Sequence, residues 1–301
     1  MTDHGQPLPA VVVNGARVRD AARLRAGCER AAVVTGWQRP LLLPTTPDDA
    51  GSAAASRAVE AGAALVIVVG GDGTVRACAQ ALTGTGVPLA IVPAGSANLT
   101  ARALGLPGRL FPALQVAFLG QDRRIDLGTA DGVVFAAMAG IGLDAAVVGG
   151  AHWLAKRLAG WPAYAVAATG QLLRRPVTFT IRLDGGAPLT RQARCVTVGN
   201  SGALPGGFAV MPDARLDDGR LDVVVLAPAG PFGWAEVGYR VAIGSRRDDV
   251  QLERLRASTV DIEVADPVVG LPRQVDGELI GLSTALTVRV LPSALLVKVP
   301  R

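Results

Sequence analysis

Residues 64–69 form an unbroken run of Ala, Leu, Val and Ile, the pattern of a strand covered on both faces. Shorter apolar runs of the same kind occupy 10–13, 41–43 and 88–92. The first of them ends at Asn14-Gly15, a turn signal. Between these runs the period changes. Residues 17–34 mix Ala, Leu and Arg at helical spacing. Thr46-Pro47, with Asp49 three residues after the Thr, predicts a helix start there, and the helix should run to Glu60 before Ala61-Gly62 stops it. Residues 75–82 and 99–104 are also helix-compatible. Strand and helix therefore alternate four times, which predicts an α/β N-terminal domain with a mostly parallel sheet and helices on both faces.

From about residue 121 strands dominate, at 121–127, 132–137, 177–183, 191–198, 221–226, 258–264 and 286–290. Several alternate polar and apolar residues, as in Thr178-Phe179-Thr180-Ile181-Arg182-Leu183. One-face burial in an antiparallel sheet gives that alternation. Asp184-Gly185-Gly186 and Asp218-Gly219 supply turns, and helices are expected at 153–171 and 233–241. The second domain is thus predicted as a β-rich antiparallel sandwich. The expected division is 1–122, 123–291 and a C-terminal segment 292–301.

Composition narrows the class. Half of the 301 residues are apolar and 18% are charged, enough to bury a core and too apolar for a mainly disordered chain. Thirty Lys and Arg against 25 Asp and Glu leave a net charge of +5, mild enough to suit anionic ligands or an anionic membrane surface but not gathered into a nucleic-acid-binding tail. Cys28, Cys78 and Cys195 are odd in number and far apart, so a reduced, cytoplasmic chain is expected. His4 and His152 are the only histidines, which argues against a histidine metal site or triad. The uncharged stretch 77–101 is long enough to cross a bilayer, but its prolines, glycines, Gln80 and Asn98 read better as a buried strand between two loops. Residues 1–9 lack the basic and apolar regions of a secretory signal.

The chemistry concentrates at strand ends. Gly70, Gly71, Asp72, Gly73 and Thr74 follow the strongest strand. Glycines there let backbone N–H groups approach phosphate oxygens, and the helix that follows adds a favourable dipole. Asp72 could bind phosphate through Mg2+ or orient a network, or it could simply cap a tight turn. The loop after the neighbouring strand, residues 93–98, offers Gly95 for close approach and Ser96 and Asn98 for hydrogen bonds, unless Asn98 only caps the next helix. Asp276-Gly277 is a favoured hairpin pair as well as a candidate carboxylate site.

The set of motifs resembles the bacterial diacylglycerol kinase-type lipid kinases, relatives of the sphingosine, ceramide and NAD kinases. The likeness runs from Gly70-Gly71-Asp72-Gly73-Thr74 through Pro93-Ala94-Gly95-Ser96-Ala97-Asn98 to Arg102. It continues at 200–207, at Pro212-Asp213-Ala214, at 217–222 and at Val275-Asp276-Gly277-Glu278. The resemblance implies an ATP- and Mg2+-dependent enzyme with the nucleotide between its domains. Asn14, Gly70, Gly71, Asp72, Gly73, Thr74, Gly95, Ser96 and Asn98 would meet the nucleotide. Asp276 would accept the proton of the lipid hydroxyl, supported by Glu278. Asp72 and Asp126 would join a metal–water network. Asp218, with the backbone carbonyls of Arg215 and Arg220, would form a separate structural metal site, strengthened by Asp222. The C-terminal strand would return to the first domain.

This chain departs from the family at several points. Gly15 follows Asn14 where Pro is usual, Arg76-Ala77 replaces an Asn-Glu pair, Ser96 replaces Thr, and Leu99 stands where Asp is common. Arg17 or Arg19 could face phosphate instead. Trp153, Lys156, Arg157, Trp161, Tyr164, Arg174 and Arg175, together with His152, could rest on an anionic membrane, or could divide between a core and a solvated face. The expected partners are a lipid substrate, most simply diacylglycerol, peripheral contact with the inner face of a membrane, and a second copy of the chain, with no nucleic acid. The readings set against lipid kinase are a soluble-substrate kinase such as NAD kinase and a non-catalytic nucleotide- or lipid-binding protein.

Overall fold

A computed structural model describes residues 5–18, 20–46, 49–142, 176–202, 210–265 and 270–301. The chain divides into two compact units, Met1–Asp126 with Ser293–Arg301, and Leu127–Pro292.

The first unit is α/β. Strands β1 (Pro9–Val13), β2 (Leu41–Pro44), β3 (Leu65–Gly70) and β4 (Leu89–Pro93) alternate with helices α1 (Ala21–Val34), α2 (Ser52–Glu60) and α3 (Asp72–Leu82). Helices α4 (Leu99–Ala103) and α5 (Leu110–Leu119) follow. The strands pair in parallel in the order β2-β1-β3-β4. Every residue of β3 is buried, as its unbroken apolar run demands. One face packs Val11, Leu65, Ile67, Val69, Ala90 and Val92 against α1 and α5. Helices α2 and α3 pack on each other and on the sheet. Val297, near the end of β16 (Ala285–Val299), lies parallel beside Leu89 of β4.

The helices differ from expectation at several points. The second helix begins at Ser52 rather than near Thr46, because Gly51 has φ +132 and Asp49 accepts the N–H groups of Gly51 and Ala53 in a turn of its own. Helix α3 starts at Asp72, not Val75, so Asp72-Gly73-Thr74 is its first turn rather than a loop. Helix α5 was not expected. Pro112 interrupts its sequence pattern, but it stands third in the helix, where a missing N–H costs nothing.

The second unit is antiparallel throughout. Its elements are β5 (Gln121–Ala130, entering from the first unit), β6 (Val133–Phe135), β7 (Met138–Gly142), β8 (Val177–Leu183), β9 (Leu189–Ala193), β10 (Cys195–Gly199), β11 (Leu221–Leu226), α6 (Gly230–Ala242), β12 (Leu252–Ala257), β13 (Thr259–Val264), β14 (Leu271–Val275), β15 (Glu278–Ser283) and the start of β16. One sheet runs β12-β11-β10-β7-β14-β15, and the other places β13 between β16 and β8, with β9 beyond. Phe135, Phe179, Ile181, Ile262 and Leu286 from one side meet Ile141, Val196, Val223 and Val275 from the other. Along β11 the two-residue period sorts the faces. Leu221, Val223 and Val225 enter this core, while Val224 lies with Val237 of α6 and Leu252 in a second cluster.

The run 191–198 is two strands, broken at Arg194. Strands β12, β14 and β15 carry charges, a proline or exposed positions that hide their period, and β7 is a short run with two glycines; none of the four was foreseen. The expected helix at 153–171 lies outside the described residues, as do the aromatic and basic residues placed there. No helix among the described residues is long and apolar enough to cross a membrane.

Candidate active site

Three strand ends of the first unit converge on one hydrogen-bonded cradle. Strand β1 delivers Asn14, whose backbone N–H bonds the Val69 carbonyl at 3.0 Å and whose Nδ2 donates to Thr74 Oγ1 at 3.0 Å. Strand β3 delivers Gly70 and Gly71. A Cβ on Gly70 would lie 2.7 Å from the Thr74 Cβ, so glycine there lets the buried threonine fold over the strand end. Strand β4 delivers the second loop. Asn98 closes it, with Oδ1 accepting the Gly95 N–H and Nδ2 donating to the Gly95 carbonyl, each at 2.9 Å. Neither sequence reading of Asn98 described this arrangement: it holds a left-handed φ of 49° and makes no side-chain cap on α4. The side chain braces the loop that presents Gly95.

Asp72 ties the two loops together. Its Oδ1 accepts the Leu99 N–H at 2.6 Å, at the start of α4. Burial raises its pKa, against the pull of the backbone N–H groups of Leu99, Asn98 and Thr100. Arg102 adds a second brace that sequence reasoning passed over, its Nε donating to the Ala97 carbonyl at 2.8 Å. The motif had ended on that arginine, which was the available signal. Ser96 is exposed on the loop, Gly73 lies in the first turn of α3, and Arg17 is exposed beyond Asn14. Arg19 lies outside the described residues. The arrangement joins two glycine-bearing strand ends to the N-terminus of an eleven-residue helix, a setting suited to phosphate oxygens. Asp126 is also buried in this unit, its Oδ1 accepting the Ser293 N–H at 2.7 Å.

In the second unit Asp276 sits in the tight hairpin that its Asp-Gly pair predicts, and its carboxylate is held in a fixed place. Asp276 and Gly277 have φ of 47° and 85°, the left-handed pair of a tight hairpin between β14 and β15. The side chain turns inward and is only 6% exposed. Its Oδ2 accepts the Ala136 N–H at 3.0 Å and its Oδ1 those of Ala137 and Met138, both at 2.9 Å. Its own N–H reaches the Met138 carbonyl at 2.8 Å. Fully buried Gln274 supports the turn by accepting the Gly277 N–H at 2.9 Å, and Asn200 and Ser201 both donate backbone N–H groups to the Ala137 carbonyl. The strap 136–138 was invisible in the sequence because it works through its backbone. Glu278 is exposed at the first position of β15.

The loop 213–222 carries the residues that the resemblance assigns to a structural metal site, and a protein cation lies among them. Asp218 Oδ1 accepts the Arg220 N–H at 3.1 Å, and its Oδ2 is held by Arg256. The Arg256 guanidinium also stands 3.4 Å from Asp222 Oδ1, so a protein cation already faces this carboxylate pair. Arg215 bridges to Asp217 at 3.5 Å. Burial pushes the Asp222 carboxyl up to about 6, opposed by Arg256 and helped by Asp218 and Asp213. Among the described residues no three His, Cys, Asp or Glu side chains converge as metal ligands.

Comparisons with known proteins agree on both units. A model of the diacylglycerol kinase catalytic domain matches residues 20–130, and a model of the YegS C-terminal NAD kinase beta sandwich-like domain matches 137–299. The chain is 34% identical over 291 residues to a Pseudomonas aeruginosa protein named "Probable lipid kinase YegS-like", covering 94% of this chain and 89% of that one. It is 30% identical over 255 residues to a Mycobacterium tuberculosis diacylglycerol kinase, covering 81% and 79%. A crystal structure of a diacylglycerol kinase from Bacillus anthracis shares the fold, with a TM-score of 0.73 at 20% identity over 98% of this chain and 97% of that one.

Proposed function

The chain belongs to the YegS-like, diacylglycerol kinase family of lipid kinases, and from that premise we propose that it transfers the γ-phosphate of ATP to the free hydroxyl of diacylglycerol, giving phosphatidic acid. The observation that carries the reading is the buried Asp276 carboxylate, fixed by three backbone N–H groups on a tight hairpin. A carboxylate so held offers an acceptor in one fixed direction. Phosphoryl transfer passes through a loose transition state, so the protein has to align the hydroxyl and balance charge more than it has to make a strong nucleophile.

In this reading the lipid hydroxyl donates a hydrogen bond to Asp276 and attacks the γ-phosphorus in line. The new oxygen–phosphorus bond forms as the bond to the bridging oxygen breaks. The proton passes to the carboxylate and ADP leaves. Gly70, Gly71 and the first turn of α3 supply N–H groups to the phosphates. Asn14, Asn98, Asp72 and Arg102 keep the two loops in register through the bonds described above. Asp72 and Asp126 are the residues that would hold Mg2+, which when bound would supply neutralisation of the phosphate charge.

The test is Mg2+-dependent transfer from labelled ATP to lipids in mixed micelles. Diacylglycerol, monoacylglycerol, ceramide, sphingosine and phosphatidylglycerol form the panel, with NAD as the soluble acceptor and Asp276→Asn as the control. Labelled phosphatidic acid that disappears in the variant is the expected result. Transfer to another lipid would replace diacylglycerol as the acceptor. Transfer to NAD alone, or to nothing despite ATP binding, would overturn the reading.

A further inference from the structure

Helix α6 buries one side and leaves large apolar residues exposed on another. Gly233, Val237 and Arg240 face inward, and Val237 joins Val210, Met211, Val224 and Leu252 in a small core. Phe232, Tyr239 and the C-cap Ile243 are spaced seven and four residues apart, which puts them on one stripe about a quarter turn round the helix from the inward residues. They are 90%, 66% and 58% exposed. Scattered apolar residues on a surface are ordinary, but an aligned stripe of large ones marks a contact surface. Glu236 is the charged residue beside the stripe, and its carboxylate accepts a bond from Gln251 Nε2 at 2.8 Å.

The loop that follows is held firmly from within. Arg240 Nη1 reaches Asp249 Oδ2 and Arg254 Nη1 reaches Asp248 Oδ1, both at 2.7 Å. Asp249 Oδ1 accepts the N–H groups of Gln251 and Leu252 at 2.9 and 3.1 Å. These bonds fix the backbone on either side of Val250, which is 91% exposed. They also consume both acids of the loop, while the neighbouring Arg246 and Arg247 are exposed. Arg246 makes an exposed pair with Asp213 at 2.8 Å.

We propose that the α6 stripe, with the Arg246-Arg247 corner beside it, is the surface by which this protein rests on an anionic lipid bilayer. The proposal depends on the lipid-kinase reading for its occupant. Size argues the same way: a stable protein–protein interface takes about 20–30 residues a side, far more than three side chains and a loop tip. Shallow insertion of a few aromatic and aliphatic side chains, with arginines meeting anionic headgroups, is enough for reversible interfacial binding.

The experiment is sedimentation of the full chain with vesicles of phosphatidylcholine, with and without phosphatidylglycerol. The expected result is binding that requires the anionic lipid. The triple variant Phe232→Ser, Tyr239→Ser, Ile243→Ser should lose about tenfold or more in partition, while Phe232→Trp should gain. All three positions are exposed, so thermal unfolding of both variants should match the parent. Transfer to a short-chain diacylglycerol in detergent micelles should also be unchanged in the triple variant. Unaltered vesicle binding in the triple variant overturns the proposal, as does light scattering that shows a dimer which the variant converts to monomer. Because sedimentation reads binding and not turnover, absence of kinase activity would sink the functional reading while leaving this result to stand or fall alone.

Discussion

A Cβ placed on Gly95 would stand 2.6 Å from the Cα of Gly71, so the two glycine loops of the first unit touch backbone to backbone. The same Cβ would lie 2.8 Å from Asn98 Oδ1, the atom that closes the second loop. Glycine here therefore serves loop against loop as well as any approach by phosphate. Gly95→Ala should cost about 1–3 kcal/mol through overpacking and should raise the KM for ATP, checked by thermal melts and steady-state kinetics. Gly238→Ala is the matched control. Its Cβ meets nothing within 4 Å on the exposed face of α6, and it should stabilise by about 0.5–1 kcal/mol.

Asp276→Asn keeps the tight hairpin, since Asn also accepts a left-handed φ, but it sets an amide NH2 or a weaker acceptor against three N–H groups. Activity should fall by about 10²–10⁴-fold with a modest loss of stability. Asp276→Ala removes the acceptor for all three donors, and each donor left unsatisfied costs about 1–3 kcal/mol. Denaturant unfolding should rank wild type above Asn above Ala. Equal stability of all three would show that the strap 136–138 does not depend on the carboxylate.

Glu253 and Arg191 form a two-pronged pair between β12 and β9, at 2.7 and 2.9 Å. The bond from Arg191 lowers the Glu253 pKa below its ordinary 4.5. The folded chain thus holds this proton less tightly than the unfolded one. The pair's stabilisation is complete above pH 4.5 and is lost as pH falls through the lowered folded value. Both side chains are partly exposed, so the effect should be at most about 0.5–1 kcal/mol. Unfolding of Glu253→Gln followed from neutral to acid pH should show the gap to wild type closing in that window.

Arg256 contacts Asp218 and Asp222, two carboxylates of the loop that the resemblance assigns to a structural metal site. The unfolding temperature of the nucleotide-free protein should accordingly be indifferent to EDTA. Arg256→Gln leaves Asp218 and Asp222 facing each other without a counter-charge, and that variant should become stabilised by added Mg2+. Chelator-sensitive melting of the wild-type protein would contradict this account.

Burial pushes the thiols of Cys28 and Cys78 up to about 12, so neither presents a thiolate near neutral pH. Both should resist a water-soluble thiol reagent in the native protein and react at the rate of unfolding, read by absorbance against denaturant.

What the sequence disclosed and what it hid divide along one physical line. The run 65–69 and the glycines after it were legible because a strand buried on both faces needs continuous apolar residues and a close turn needs glycine. Both are local requirements. The partner of Gly95 was not legible, because Gly71 lies on another strand end and only folding brings the two together. Asp72 illustrates the same limit. Its type suggested charge at a phosphate site, yet its Oδ1 turns to the amide of Leu99, 27 residues away. Asp276-Gly277 announced a hairpin, and the Asp-Gly-Glu resemblance announced a site. That the hairpin aspartate turns its carboxylate inward depends on the backbone of Ala136 to Met138, which carries no side-chain signature. Strand β15 escaped because Leu279 and Leu282 are exposed, 53% and 67%, and break the alternation that marks a half-buried strand.

Asp126 and Ser293 share a hydrogen bond of 2.7 Å at the two points where the chain leaves the first unit and re-enters it. In the order of synthesis this is a long detour. Strand β4 is made early, but the neighbour that covers its open edge, beginning at Ser293, appears only after the whole of Leu127–Pro292 has been built. Until then the growing chain carries an unpaired strand edge, the kind of surface on which nascent proteins stick to one another. The first unit can be sealed only once all the residues of the second have been made.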